Sequence, residues 1–110
     1  MESFKRRVPK VEPVSQSGIR YEVVAGAKSR GFARNGGVIA ALDEATGKEC
    51  WTLQVYSVDY DPSEEEDVQD VFIVRLALSQ DGRSLIVEDE RHKRYEVSLE
   101  HRSVREIGSP

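Results

Sequence analysis

Short runs in which apolar and polar residues alternate, each closed by a turn signal, constrain this chain more than any other feature. Ile19, Tyr21 and Val23 alternate with Arg20 and Glu22, Tyr95, Val97 and Leu99 alternate with Glu96 and Ser98, and Phe72, Val74, Leu76 and Leu78 mark one face of residues 71–78. Side chains two apart share a face of a strand, so each run reads as a strand with one buried side. Val38 to Leu42 adds a short apolar strand, Leu85 to Glu88 a returning strand, and Val104 to Ile107 a short last one. The expected fold is mainly β: a single-domain antiparallel meander of about six strands with at most one short helix.

Two stretches depart from simple alternation. Over residues 49–60, Trp51, Leu53 and Val55 lie on one face while Tyr56, Val58 and Tyr60 lie on the other, so a bulge or bend is expected near residues 55–57. In DPSEEEDVQD, residues 61–70, Ser63 and Glu66 fit a capping box. A turn of helix at residues 63–69 leading into a strand at 71–78 is the expectation, with a continuous helix through residue 78 as the alternative.

The 110 residues suit one domain with a modest core. Residues 1–17, with Pro9, Pro13 and a Ser/Gln run, read as a basic, poorly ordered tail ahead of a β domain at residues 18–108, and residues 25–37 read as a flexible loop. No apolar run is long enough to cross a bilayer and no export signal is read in MESFKRRVPK. The single cysteine, Cys50, cannot form an internal disulfide, and a cytoplasmic setting is expected. Charge is unevenly spread: residues 1–34 carry eight Lys or Arg against three Glu, residues 35–110 eight against seventeen acidic residues. The acidic majority would repel nucleic acid, which is therefore not the expected partner.

Residues 36–56, GGVIAALDEATGKECWTLQVY, resemble the strand, turn and strand of pyrroloquinoline-quinone-type β-propeller repeats, and LALSQDGRSLIVE, residues 76–88, is similar to an S-x-D-G hairpin of other propellers. In such repeats the positions matching Trp51 and the Asp43 to Gly47 turn hold blades together, and the cofactor is bound elsewhere. The resemblance therefore implies hairpins and packing, with no quinone site. Closing a propeller takes roughly four to eight blades, and the expected strands suffice for little more than one.

A lone sheet leaves a wide apolar face formed by Trp51, Leu53, Val55, Phe72, Val74, Leu76, Leu85, Val87, Tyr95, Val97 and Leu99. Exposing it would forfeit about 1.5–3 kcal/mol for each large side chain. The meander is therefore expected to curl into a small barrel or sandwich, or to pack as a homodimer.

Chemistry-bearing patterns are sparse. Acidic residues 59–70 approach a calcium-loop spacing, but Glu64 replaces the required glycine, Pro62 stiffens the loop and Asp70 replaces the bidentate Glu. Cys50, His92 and His101 have no spacing suited to zinc or to a nucleophile and base, and no phosphate-binding glycine loop occurs. No cofactor, metal or catalytic set is expected. The basic residues 91–94, 101, 102 and 105 are interspersed with Glu88, Asp89, Glu90 and Glu96. The leading expectation is a non-enzymatic protein-interaction domain, comparable in class to immunity proteins or accessory subunits, whose acidic loop residues Asp61, Glu64, Glu65, Glu66 and Asp67 meet an unknown protein partner. The alternative is a ligand-binding or enzymatic curled sheet using Arg75, Tyr56 and Tyr60. Arg75 interrupts the apolar run VFIVRLAL and reads more readily as an outward-facing charge than as an anion ligand.

Overall fold

The computed structural model describes residues 8–32, 36–57 and 70–108. Among them are eight strands: β1 (Val14–Gln16), β2 (Ile19–Val23), β3 (Val38–Asp43), β4 (Glu49–Gln54), β5 (Ile73–Leu78), β6 (Ser84–Asp89), β7 (Arg94–Ser98) and β8 (Val104–Gly108). They form two four-stranded sheets, β1-β2-β3-β4 and β5-β6-β7-β8, each an antiparallel meander in chain order. The mainly β expectation holds, whereas the count of about six strands is too low and neither sheet closes into a barrel. The expected helix at residues 63–69 lies outside the described residues, and residues 73–78 are strand, which removes the continuous-helix alternative.

β1 lies inside the segment read as a tail. Ser17 and Gly18 both take positive φ, 54° and 80°, and make the two-residue turn whose twist matches an antiparallel pair. That turn lets Val14 stand opposite Tyr21 and pack against the core.

The two sheets cover one another. A single buried cluster takes Tyr21, Ile39, Ala41 and Val55 from the first half and Ile73, Leu76, Leu85, Val87, Tyr95 and Val97 from the second. β1 and β2 pack against β5, so the opening strands of the two meanders meet. Trp51, Leu53 and Leu99 pack at the margin of this core. Val74 does not join it: the register slips between Ile73 and Arg75, so Ile73 is buried and Val74 is 37% exposed. A bulge of this kind shifts alternation by one residue.

The segment read as a flexible loop covers the outer side of the first sheet. Ala27–Arg30 forms a single 3-10 turn. Ala27 is fully buried and joins Val24, Val38 and Ala40 in a second cluster, flanked by Phe32 and Leu42. Arg30 donates to Glu49 on β4 at 2.6 Å, which ties this cover to the sheet edge. Consecutive burial of Val38, Ile39, Ala40 and Ala41 follows, because β3 is buried on both faces.

Candidate functional site

The chain leaves the first sheet at the position where its alternation changes phase. β4 ends at Gln54, and the Val55 amide then donates to the Gly37 carbonyl at 2.6 Å. Tyr56 turns into the seam between the sheets. Its ring stacks on Tyr95 of β7 with centroids 5.1 Å apart, and its hydroxyl donates to the Val71 carbonyl at 2.6 Å. Gly36 and Gly37 permit this approach, since a Cβ on Gly36 would strike the Val71 carbonyl and one on Gly37 would lie 2.6 Å from the Tyr56 carbonyl oxygen. Gly37 also has φ +83°, a conformation side-chain-bearing residues rarely adopt.

Asp89 organises the other side of the seam. Its side chain is 2% exposed; Oδ1 accepts from the amides of Arg91 and Lys93 at 2.8 and 3.0 Å, and Oδ2 accepts from the Tyr95 hydroxyl at 3.2 Å. The sequence signal for this is the polar turn DERHK, where an Asp side chain can bond the backbone two residues on. Burial, followed by the neighbouring Asp89 charge, pushes the Tyr95 phenol up to about 12. The same two causes, in the same order, raise Tyr56 further.

A pocket of about 150 Å³ opens here, lined by Tyr56, Ser57, Val71, Asp89, Arg91, Lys93 and Tyr95. Both phenols are neutral near pH 7 and their protons already bond Val71 and Asp89. The chemistry of this seam is that of a lock between sheets: a buried acceptor, two committed donors and a stacked pair.

Of the sequence-expected ligand residues that are described, Tyr56 reaches the seam and Arg75 does not. Arg75 is exposed on the outer face of the second sheet, directly opposite Glu88, which in turn stands opposite Arg94. It belongs to a row of alternating charge across β5, β6 and β7. A second row runs Ala77, Ile86, Glu96, Arg105, and Arg105 donates to Glu96 at 2.6 Å. Tyr60, Asp61, Glu64, Glu65, Glu66 and Asp67 lie outside the described residues.

The remaining reactive groups are dispersed. Cys50 is exposed on β4, His92 sits in the β6–β7 turn with Nδ1 3.7 Å from Glu88, and His101 in the β7–β8 turn has Nε2 3.7 Å from Glu100. Among the described residues no group of three or more His, Cys, Asp or Glu is placed to hold a metal ion. None of the helices among them is long and apolar enough to cross a membrane. The basic residues are also divided: Arg102 lies over the Trp51 ring at 5.8 Å, Arg105 meets Glu96, and the buried Tyr95 is unavailable for stacking on a base.

The sheet edges differ in how they are guarded. β1 and β5 lie against one another. β4 is bridged by Arg30 at Glu49 and overlain by Arg102 at Trp51. β8 ends its sheet with all five residues exposed, including Val104 and Ile107 at 37% each. Its register with β7 passes from Tyr95–Glu106 to Arg94–Gly108, so Ile107 has no residue opposite it. Strand edges with unpaired amides and carbonyls are templates for another strand, and sequence reasoning located this strand without showing that it would be an edge.

Compared with protein-family models, with curated proteins and with solved structures, the chain matches none.

Proposed function

We propose that this protein is a non-enzymatic interaction domain that binds another polypeptide by adding a strand along β8. The observation that carries this reading is the contrast among edges: β8 has every residue exposed, whereas β1 and β5 lie against one another and β4 is contacted by Arg30 and Arg102. Strand addition would supply affinity through main-chain hydrogen bonds and specificity through side chains on each face. The acidic residues Asp61, Glu64, Glu65, Glu66 and Asp67 remain part of the proposal as a second, charged contact for a basic partner surface. A cytoplasmic setting fits the free, exposed Cys50.

The ligand-carrier reading has less support. Arg75 points away from the seam that Tyr56 enters, and the Tyr56 hydroxyl is already bonded to Val71. Site-specific incorporation of a photocrosslinking residue tests the edge reading in cells. At position 106 it should yield a polypeptide adduct, while the same residue at position 75 on the charged outer face should not. Equal adducts at both positions, or none at 106, would remove β8 as the binding surface.

A further inference from the structure

A second cavity, of about 480 Å³, is lined from both halves of the molecule: Gln16 and Tyr21 come from β1 and β2, Arg83 from the β5–β6 turn, and Leu99 and Glu100 from the β7–β8 turn. Its size suits a small molecule, since ligand cavities span roughly 300–1,000 Å³. The wall is tied together by backbone groups. Gln16 Nε2 donates to the Gly82 carbonyl at 2.8 Å, and the Leu99 amide donates to the Arg83 carbonyl at 3.0 Å. Tyr21 sets this cavity apart from the seam. It is 7% exposed, yet among the described residues its hydroxyl bonds no protein group, whereas the hydroxyls of Tyr56 and Tyr95 are both committed. Burial, followed by nearby Cys50, raises the Tyr21 phenol, so it holds its proton near neutral pH. A buried donor without a protein acceptor calls for one from outside the chain.

Arg83 is the second uncommitted donor. Its guanidinium makes no hydrogen bond or salt bridge among the described residues, and Asp81 in the same turn already accepts from the Ser79 hydroxyl and the Arg83 amide. Two acceptors complete the lining. Gln16 spends its amide nitrogen on Gly82 and keeps its carbonyl oxygen free, and Glu100 stands at the exposed rim with His101 Nε2 3.7 Å away. The cavity therefore presents two donors, one of them cationic, and two acceptors, one of them anionic, beside the apolar side chain of Leu99. We infer that it is a binding site for a free aliphatic α-amino acid, with the carboxylate on Tyr21 and Arg83 and the ammonium on Gln16 and Glu100. A carboxylate only accepts and an ammonium only donates, so each ligand group meets protein groups of the complementary kind. The site goes beyond strand addition at β8, stands independently of it, and is separate from Arg75 and Tyr56.

Calorimetric titration of the full chain with L-leucine tests this, alongside isocaproate, which lacks the amine, and isoamylamine, which lacks the carboxylate. L-leucine should bind, and each analogue should bind at least about tenfold more weakly, because each leaves one charged protein group unmatched. Tyr21→Phe keeps the ring that packs near Trp51 and removes only the hydroxyl. It should weaken L-leucine about tenfold with an unchanged thermal midpoint, and Arg83→Gln and Glu100→Gln, both at exposed positions, should do the same. Arg75→Gln, on the outer face of the second sheet, should bind as the wild type does. Absence of any heat from L-leucine at millimolar concentration overturns the inference, as does isocaproate binding as tightly as L-leucine. A loss confined to Tyr21→Phe and accompanied by a lowered thermal midpoint also overturns it, since that pattern reports packing alone.

Discussion

The two sheets have the same number of strands in the same order, yet they handle their second faces in opposite ways. In the first sheet the segment from Val24 to Phe32 folds over the outer side, so β3 is buried on consecutive residues and Ala40 is 2% exposed. In the second sheet β6 alternates strictly between buried and half-buried positions, and its outer side carries rows of opposite charge. The difference shows that a meander can be finished either by its own loop or by water. Only the finish with water leaves an edge and a polar face open for another molecule. Exposed ion pairs such as Glu96–Arg105 contribute under about 1 kcal/mol, so the charged face keeps the sheet hydrated more than it stabilises it.

The same substitution in both sheets would break or sharpen this comparison most. Ala40→Glu buries an unpaired carboxylate under the loop and should cost about 3–5 kcal/mol. Ala77→Glu, on the water-facing side of β5, should cost about 1 kcal/mol or less. Urea unfolding of the two variants measures this, and equal losses would mean that the loop does not seal the first sheet.

The lock between the sheets should give the next largest effect. Asp89→Ala removes the acceptor of two amides and the Tyr95 hydroxyl, at about 1–3 kcal/mol for each buried donor left unpaired. Asp89→Asn retains an acceptor and should cost less. It should also lower the pH at which the Tyr95 phenolate forms, since the Asp89 charge is one cause of its elevation. The wild-type dependence has a definite sign: Tyr95 is raised from 10.0 to about 12, so its contribution is fully present below pH 10 and is lost as pH rises through about 12. Alkaline unfolding followed by ultraviolet absorbance reads both effects.

Gly37→Ala should be smaller, about 1–3 kcal/mol, because the added methyl meets the Tyr56 carbonyl at a positive φ. Gly47→Ala serves as its control, with a similar φ of +75° and nothing within 4 Å, so it should show the backbone cost alone. The smallest change expected is a gain. His92 holds φ 70° in the β6–β7 turn, and His92→Gly should stabilise by about 1 kcal/mol, seen as a raised thermal midpoint.

Much of the strand pattern was legible because alternation is a local property. Tyr21, Leu76, Val87, Tyr95 and Val97 all fall on the shared core, and the phase change after Val55 coincides with the end of β4. The segments resembling propeller repeats are hairpins, β3–β4 and β5–β6. Val74 was misplaced because a bulge between Ile73 and Arg75 leaves no composition signal. The loop over the first sheet was missed although the unbroken apolar run VIAAL already favoured a strand buried on both sides. Of the candidate site, Tyr56 was found for its position on the odd face, while Asp89 was hidden among charged neighbours that look alike in one dimension.

By itself the amino-acid order determined a mainly β chain, the location of most strands and turns, and the outward bias of Arg75. These depend on side-chain period and on turn chemistry within a few residues. Only the tertiary structure decided that the meander divides into two sheets, that each covers the other's apolar face, and that β8 remains an open edge. Those outcomes depend on which distant surfaces meet, and a carboxylate such as Asp89 or an edge such as β8 acquires its meaning only from neighbours that the linear pattern does not contain.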